Sequence, residues 1–408
     1  MSGKLSGKRL LLVEEVLKDP IGHWYEYIKA VTELNRSEGA EVMTVAHARI
    51  DPAIATEIAA IPAFPRSSWD GDYYHPRKWR RYLGALWHNW LVYRTMARIV
   101  DAHGPFDCLF APTVGIHQIW GWRLLFARKR ARIGRIVLLF RMNAGTYQPG
   151  SMVPAFPRIA VVLKAGMRSF AGAIAKGQAT LATDSTRLAR EYELLCGIAP
   201  EVYPSPRIAP FPNEERPAKG PDENLVFSCL GPARFEKGID LLQGAIKACL
   251  AKGLKRPVRF VIQWNHPIAD AAGAPYLPDP ALVADPRVDF ITEALDTAAY
   301  DAAIAATDCM VLPYRRNAYY ARISGVAVEA ATAGIPMLYT TDTWMADLVE
   351  QVGAGIGAED GDMAALASAI TAMVENYDAY HAKAMDRRSA AQDAHSGGAF
   401  LDKLWGQG

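Results

Sequence analysis

Along almost the whole chain, short apolar runs alternate with longer stretches in which apolar residues recur at helical spacing. Few folds accept that rhythm, because short strands that are apolar on both sides need helices over both faces of a parallel sheet. In the first half the spacing predicts strands at Arg9–Val13, Glu41–Val45, Cys108–Ala111, Ile136–Phe140 and Thr180–Ala182, with helices at Trp24–Leu34 and Thr186–Leu195. In the second half it predicts strands at Leu225–Leu230, Val258–Ile262, Val288–Ile291, Cys309–Leu312 and Ile335–Tyr339. Helices are expected there at Ile239–Ala251, Thr297–Ala306 and Gly325–Ala333, followed by two terminal helices.

Six prolines between Pro204 and Pro221 interrupt the alternation, and neither helix nor sheet runs through such a stretch. The expected domains are therefore 1–205 and 223–384, both Rossmann-like, with 206–222 as a proline-rich linker. A chain of 408 residues that is 50% hydrophobic and 22% charged can fill two such cores, which excludes disorder and fibrous repeats as its main state.

The formal charge of +2 hides a polarity. Residues 1–205 carry 27 basic and 17 acidic side chains, the remainder 18 and 26. From His75 to Arg141 there are 13 basic residues against Asp101 and Asp107 alone, so a negatively charged partner is expected at this half. Five cysteines, none closer than 20 residues to the next, fit no metal knuckle or disulfide framework, and they are expected to be reduced core thiols in a cytoplasmic protein. The apolar run Leu10–Val13 is too short for a signal peptide and no stretch is long enough to span a bilayer, so any membrane contact is expected to be peripheral, from the inner face.

Two strings carry chemistry. GPARFEKG, Gly231 to Gly238, follows a strand and opens a helix. Such a loop can aim backbone N–H groups and a helix N-terminus at a phosphate while Arg234 and Lys237 supply charge, although a plain turn with solvated cations has the same spacing. PYRRNAYYARISGVAVEAATAGIP, Pro313 to Pro336, also follows a strand, at the edge where open α/β sheets bind ligands. Ser324 and Gly325 stand at the helix start, and Glu329 is a lone carboxylate among small apolar residues, either a ligand contact or a core-edge glutamate. A third string, GAGIGA at 353–358, follows a helix instead of a strand and reads as a turn and short strand.

Taken in order, GPARFEKG, VDFITEALDTAAYDAAIAATDCMVLPY and SGVAVEAATAGIPML resemble the donor-binding half of glycosyltransferase family 4, over roughly Leu225 to Glu375. The resemblance implies the GT-B fold, two Rossmann-like domains facing across a cleft, with the last helix, within 385–408, returning to the first domain. It implies a glycosyltransferase that moves a sugar from a nucleotide-sugar donor with retention, without metal or cofactor, in cell-surface polysaccharide or glycolipid synthesis. Lys237 matches the family lysine on the donor diphosphate, whereas Arg234 lies two residues beyond the usual arginine, whose place holds Pro232. Glu329 matches the ribose-binding glutamate, but its usual partner eight residues earlier is Ala321, leaving Tyr320 or Arg322 as substitutes for contacts to the sugar. Gly231, Ser324 and Gly325 complete the expected donor site, with Thr292 and Glu293 placed by position near the base.

In the first domain, Arg141 occupies the end of the strand where many members carry a histidine, with Asn143 nearby. Gly22 and His23 in the first loop and His117 after the Cys108–Ala111 strand are further acceptor-side residues, each histidine having an ordinary structural role as its alternative. No metal spacing such as HExxH occurs. Residues 75–99 combine basic residues with Trp79, Tyr82, Leu83, Leu86, Trp87, Trp90, Leu91 and Tyr93 at helical spacing, which fits either a core stripe or an interfacial helix on an anionic membrane, with RKRARIGR at 128–135 as a second basic cluster. Nucleic acid is not expected. The expected acceptor is a glycan or lipid-linked saccharide. The alternatives are a catalytically impaired GT-B protein that binds a sugar or partner, motivated by Ala321 and Arg141, and a nucleotide-sugar epimerase or phosphorylase.

Overall fold

The computed structural model describes residues 3–19, 23–70, 77–148, 150–206, 216–265, 267–270 and 273–406. The chain divides into two compact units, one of 1–146, 152–209 and 396–408, the other of 147–151 and 210–395. The final crossing to the first unit thus begins at Ser396, and residues 385–395, expected to return with it, stay in the second.

In the first unit the strands are β1 (Arg9–Glu14), β2 (Glu41–His47), β3 (Ala60–Phe64), β4 (Phe106–Ala111), β5 (Ile133–Phe140), β6 (Ala179–Thr183) and β7 (Glu201–Val202). They form one parallel sheet in the order β3-β2-β1-β4-β5-β6-β7. The order reverses between β1 and β4, opening a crevice at their carboxyl ends. β3 has no counterpart in the sequence reading, and it contains Pro62, a residue that sheet interiors exclude. It is an edge strand, where the missing N–H leaves no ladder partner wanting.

Leu10, Leu12, Phe110, Val137 and Leu139 cover one sheet face with Ile28 and Val31 of the helix His23–Ser37. Phe400, fully buried on the helix Gly397–Trp405, completes that core against Phe110, Tyr27 and Tyr203. The backbone carbonyl of Lys403 accepts from Tyr203 Oη at 2.8 Å, and Trp405 Nε1 donates to Asn35 Oδ1 at 2.8 Å. The C-terminal helix is therefore an integral layer of this unit.

The second unit has β8 (Leu225–Cys229), β9 (Val258–Gln263), a small antiparallel pair β10 (Ile268–Ala269) and β11 (Pro275–Tyr276), then β12 (Val288–Ile291), β13 (Cys309–Leu312), β14 (Met337–Thr340) and β15 (Gly355–Ala358). The main sheet is parallel in the order β12-β9-β8-β13-β14-β15, reversing between β8 and β13. Its two faces are buried separately. Phe227, Phe260 and Ile262 pack on the helices Ile239–Lys252 and Met363–Glu375, while Met310, Leu312 and Met337 pack on Gly325–Ala333 and Trp344–Val352. After β14 the chain forms a strand and four helices where two terminal helices were expected, and the GAGIGA string is a turn leading into β15. All five cysteines are free and buried. Among the described residues no group of side chains could hold a metal ion, and no helix is long and apolar enough to cross a membrane.

Candidate active site

GPARFEKG folds around two left-handed glycines. Gly231 (φ 82°) turns the chain out of β8, its N–H donating to Gln263 Oε1 at 2.6 Å. Gly238 (φ 67°) joins the short turn Phe235–Lys237 to the helix Ile239–Lys252, and a Cβ there would stand 1.9 Å from the Pro313 carbonyl oxygen. Only glycine fits, so loop and helix are seated directly on the chain leaving β13. This places the loop at the reversal between β8 and β13.

Lys237 is buried, 6% exposed, its ammonium 5.4 Å from the centre of the Tyr314 ring and 2.8 Å from where a Cβ on Gly231 would stand. Burial pushes this amine down to about 8, Arg234 adds to the effect, and Cys229, Glu236 and Glu329 oppose it. A desolvated cation held against a side-chain-free turn is arranged to meet an incoming anion.

Arg234 lies at the surface, 3.5 Å from Glu236 Oε1, and Arg322 approaches the same oxygen at 3.7 Å with its guanidinium over Tyr319. One carboxylate thus holds two arginines from different strings beside Lys237. Ser324 Oγ caps the helix Gly325–Ala333 by accepting from the Ala327 N–H at 3.3 Å, and Gly325 is the first residue of that helix. One turn on, Glu329 Oε2 accepts from Tyr300 Oη at 2.6 Å. Ala321 is fully buried, so the place of the family's first glutamate is core. Tyr320 is mostly buried, its ring 4.2 Å from that of Tyr147 and beneath the Arg316 guanidinium, so its face is taken up by packing. Thr292 and Glu293 line an open groove of about 440 Å³ after β12, with Phe290, Asp296 and Ala299.

In the first unit, Gly22 lies outside the described residues, and so does the side chain of His23, the first residue of its helix. Arg141 directly follows β5, donates to Asp184 Oδ2 at 3.1 Å and stacks over Tyr27 at 4.5 Å. Asn143 is committed to Glu191, donating to Oε2 at 2.9 Å, while Oε1 accepts from the N–H groups of Ala144 and Gly145. This carboxylate folds the loop after β5. Burial and the nearby His88 push the His117 imidazole down to about 4, so at neutral pH it is uncharged.

The buried carboxylates at the end of β1 carry no role in the sequence reading. Glu14 accepts from Thr113 Oγ1 at 2.8 Å, and burial pushes it up to about 7. Burial also works against the Glu15 charge, yet His88 Nε2 at 2.8 Å, Gln118 Nε2 at 2.7 Å and the Ser68 N–H at 2.7 Å hold that carboxyl below its ordinary value. Two acidic residues directly after an apolar run were the available signal. For Gln263, Glu236 and Tyr300 there was none, because their partners are 32 (Gly231), 86 (Arg322) and 29 (Glu329) residues distant.

The helix Lys78–His103 turns Leu91, Val92, Met96 and Val100 inward. Over its first half Trp79, Tyr82, Leu83, Leu86, Trp87 and Trp90 are exposed and form a surface, whereas Leu91, expected on the same stripe, is buried in the core and Tyr93 is half-buried.

Residues 224–376 match the family model described as glycosyl transferases group 1. No curated protein matches the sequence closely enough to count as a relative. Among solved structures, the chain is similar to Anabaena Alr3699/HepE in complex with UDP and glucose, at TM-score 0.63 and 14% identity over 98% of this chain and 99% of that one. It is similar to a glycosyltransferase from Rickettsia africae ESF-5, at TM-score 0.63 and 12% identity over 97% and 96%. The lipopolysaccharide outer core galactosyltransferase WaaB in its apo form gives TM-score 0.59 and 12% identity over 98% and 99%. At these identities the structures establish the fold, so the chain has the GT-B fold, and residues 224–376 of its second unit carry the match to glycosyl transferases group 1.

Proposed function

We propose that this protein is a retaining glycosyltransferase whose second unit binds a nucleotide-sugar donor and whose acceptor is a glycan or lipid-linked saccharide presented at an anionic membrane surface on the cytoplasmic side. The observation that carries the donor reading is the buried Lys237 ammonium against Gly231, with Arg234 and Arg322 gathered on Glu236, at the sheet reversal within the family-matched stretch. The complex of HepE with UDP and glucose supports a nucleotide-sugar donor for a chain of this fold.

As the bond between sugar and donor diphosphate breaks, charge grows on the leaving oxygens. A fixed, desolvated ammonium stabilises that charge more in the transition state than in the ground state, and needs no reorganisation to do so. Arg234 and Arg322 can leave Glu236 for the diphosphate, adding charge-assisted hydrogen bonds. Tyr300 holds the Glu329 carboxylate to receive the ribose hydroxyls. The Thr292–Glu293 groove takes the base, and Arg141 with the Glu14 cluster borders the acceptor side of the first unit.

The test is direct. A thermal-shift screen of nucleoside diphosphates identifies the base by the rise in melting temperature. Transfer from the matching sugar donor, in chelator, with the product's anomeric configuration read by proton NMR, should show retention and survive metal removal. Near-normal turnover of Lys237→Ala would refute the mechanism, and binding of donor without transfer or hydrolysis would favour the sugar-binding alternative. Co-sedimentation at low salt with anionic but not neutral vesicles is expected if the exposed stripe of Lys78–His103 lies on a membrane.

A further inference from the structure

An open groove of about 400 Å³ lies at the start of the helix Lys78–His103, lined by Arg66, Trp79, Arg80, Leu83, Gly84 and Trp87. Arg66 enters from the segment after β3, its guanidinium 5.7 Å from the Trp87 ring centre, and Arg80 stands 5.5 Å from that of Trp79. Each cation is thus set on the face of an exposed indole and fixed in direction, Arg66 also by donating from Nη2 to the Asp70 carbonyl at 3.0 Å. Trp79, Leu83 and Trp87 form one row at intervals of four residues, and Tyr82, Leu86 and Trp90 form the adjacent row, all exposed. Gly84 contributes no side chain, leaving room between Arg80 and Trp87.

We infer that this groove is a headgroup site for a single lipid carrying a phosphate, the phosphate between Arg66 and Arg80 and the chain against Trp79, Leu83 and Trp87. The inference rests on the reading that the protein works at a membrane, and gives that contact a chemical preference. A diffuse basic surface responds only to surface charge. Two planar guanidiniums on facing elements, backed by apolar rings, instead favour a phosphate with an attached hydrocarbon chain. No role in donor binding is assigned to these residues, which lie in the first unit.

The experiment uses the full chain and phosphatidylcholine vesicles brought to equal surface charge with phosphatidic acid or with oleate. Binding to the phosphatidic acid vesicles should be tighter by about tenfold, the worth of one charge-assisted hydrogen bond. Gly84→Gln fills the groove and keeps every charge, so it should erase that preference while binding to oleate vesicles persists. Arg66→Gln with Arg80→Gln should erase it too, whereas Arg81→Gln with Arg94→Gln, which removes equal charge from the helix Lys78–His103 outside the groove lining, should weaken both vesicle types alike. Equal binding of the unaltered protein to both types, or a preference that survives Gly84→Gln, overturns the groove and leaves the membrane reading standing. No binding to any anionic vesicle at low salt overturns both. Displacement from vesicles by millimolar glycerol phosphate would make the groove a site for free phosphate and overturn the lipid assignment.

Discussion

Replacing Lys237 by methionine should make the second unit more stable and donor binding much weaker. Burial lowers the Lys237 amine from 10.5 to about 8, and each unit of such a shift corresponds to 1.36 kcal/mol, so holding the cation in the folded state costs about 3 kcal/mol at neutral pH. The sign follows from proton counting. Between pH 8 and 10.5 the unfolded chain binds the proton that the folded chain has released, so stability rises with pH across that window, and below 8 the full cost is present. Methionine keeps the length and volume without the charge. For a unit of this size the gain should raise its melting transition at pH 7 by about 6–12 °C. At pH 9.5 the difference should shrink to about 1 kcal/mol, because most of the folded lysine is already neutral there. Nucleoside diphosphate, which raises the melting temperature of the unaltered protein, should bind the variant at least about tenfold more weakly, the loss of one charge-assisted hydrogen bond. Paired melting curves at the two pH values, with and without nucleotide, suffice. A variant that melts no higher than the original at pH 7 would show that Lys237 is not strained by burial, and one that binds nucleotide equally well would show that it is not aimed at a diphosphate.

Gly238→Ala should lower the stability of the second unit by about 2 kcal/mol or more in denaturant unfolding, since the left-handed backbone is unfavourable for alanine and its Cβ would meet the Pro313 carbonyl. Phe400→Ala should destabilise the first unit by about 3–5 kcal/mol by opening a cavity against Phe110, Tyr27 and Tyr203, while nucleotide binding by titration stays unchanged. Glu14→Gln should stabilise the first unit above pH 7 and have little effect near pH 4.5. The Glu14 carboxyl, raised by burial to about 7, keeps its proton in the folded state while the unfolded chain loses it, so stability falls as pH climbs through that window. Melting temperature against pH checks this, and a constant offset at all pH values would refute it.

Much of the architecture was legible because strand and helix periodicity is local. The helix Thr297–Ala306 and the strands Val288–Ile291 and Cys309–Leu312 have the bounds that their residues predict, and most other elements differ by a few residues at their ends. β3 was hidden because the meaning of Pro62 depends on whether its strand lies at an edge, a property of the sheet. The exposure of the Trp79–Trp90 stripe was equally undecidable, since the same spacing serves a core and a membrane-facing surface until the neighbouring helices are in place.

By itself the sequence determined the two rounds of strand and helix, the glycine-flanked turn carrying Lys237 between Gly231 and Gly238, and the placing of Glu329 one turn into a helix of small residues, all of which follow from residue type and short-range spacing. The tertiary structure alone decided that Lys237 is buried and its amine weakened, and that Glu236 gathers Arg234 and Arg322. It likewise decided that Tyr320 is spent on packing, and that Glu14 and Glu15 are enclosed at the end of β1. The physical reason is the same in each case: desolvation and pairing depend on what other parts of the chain bring within a few ångströms, and no local pattern carries that information.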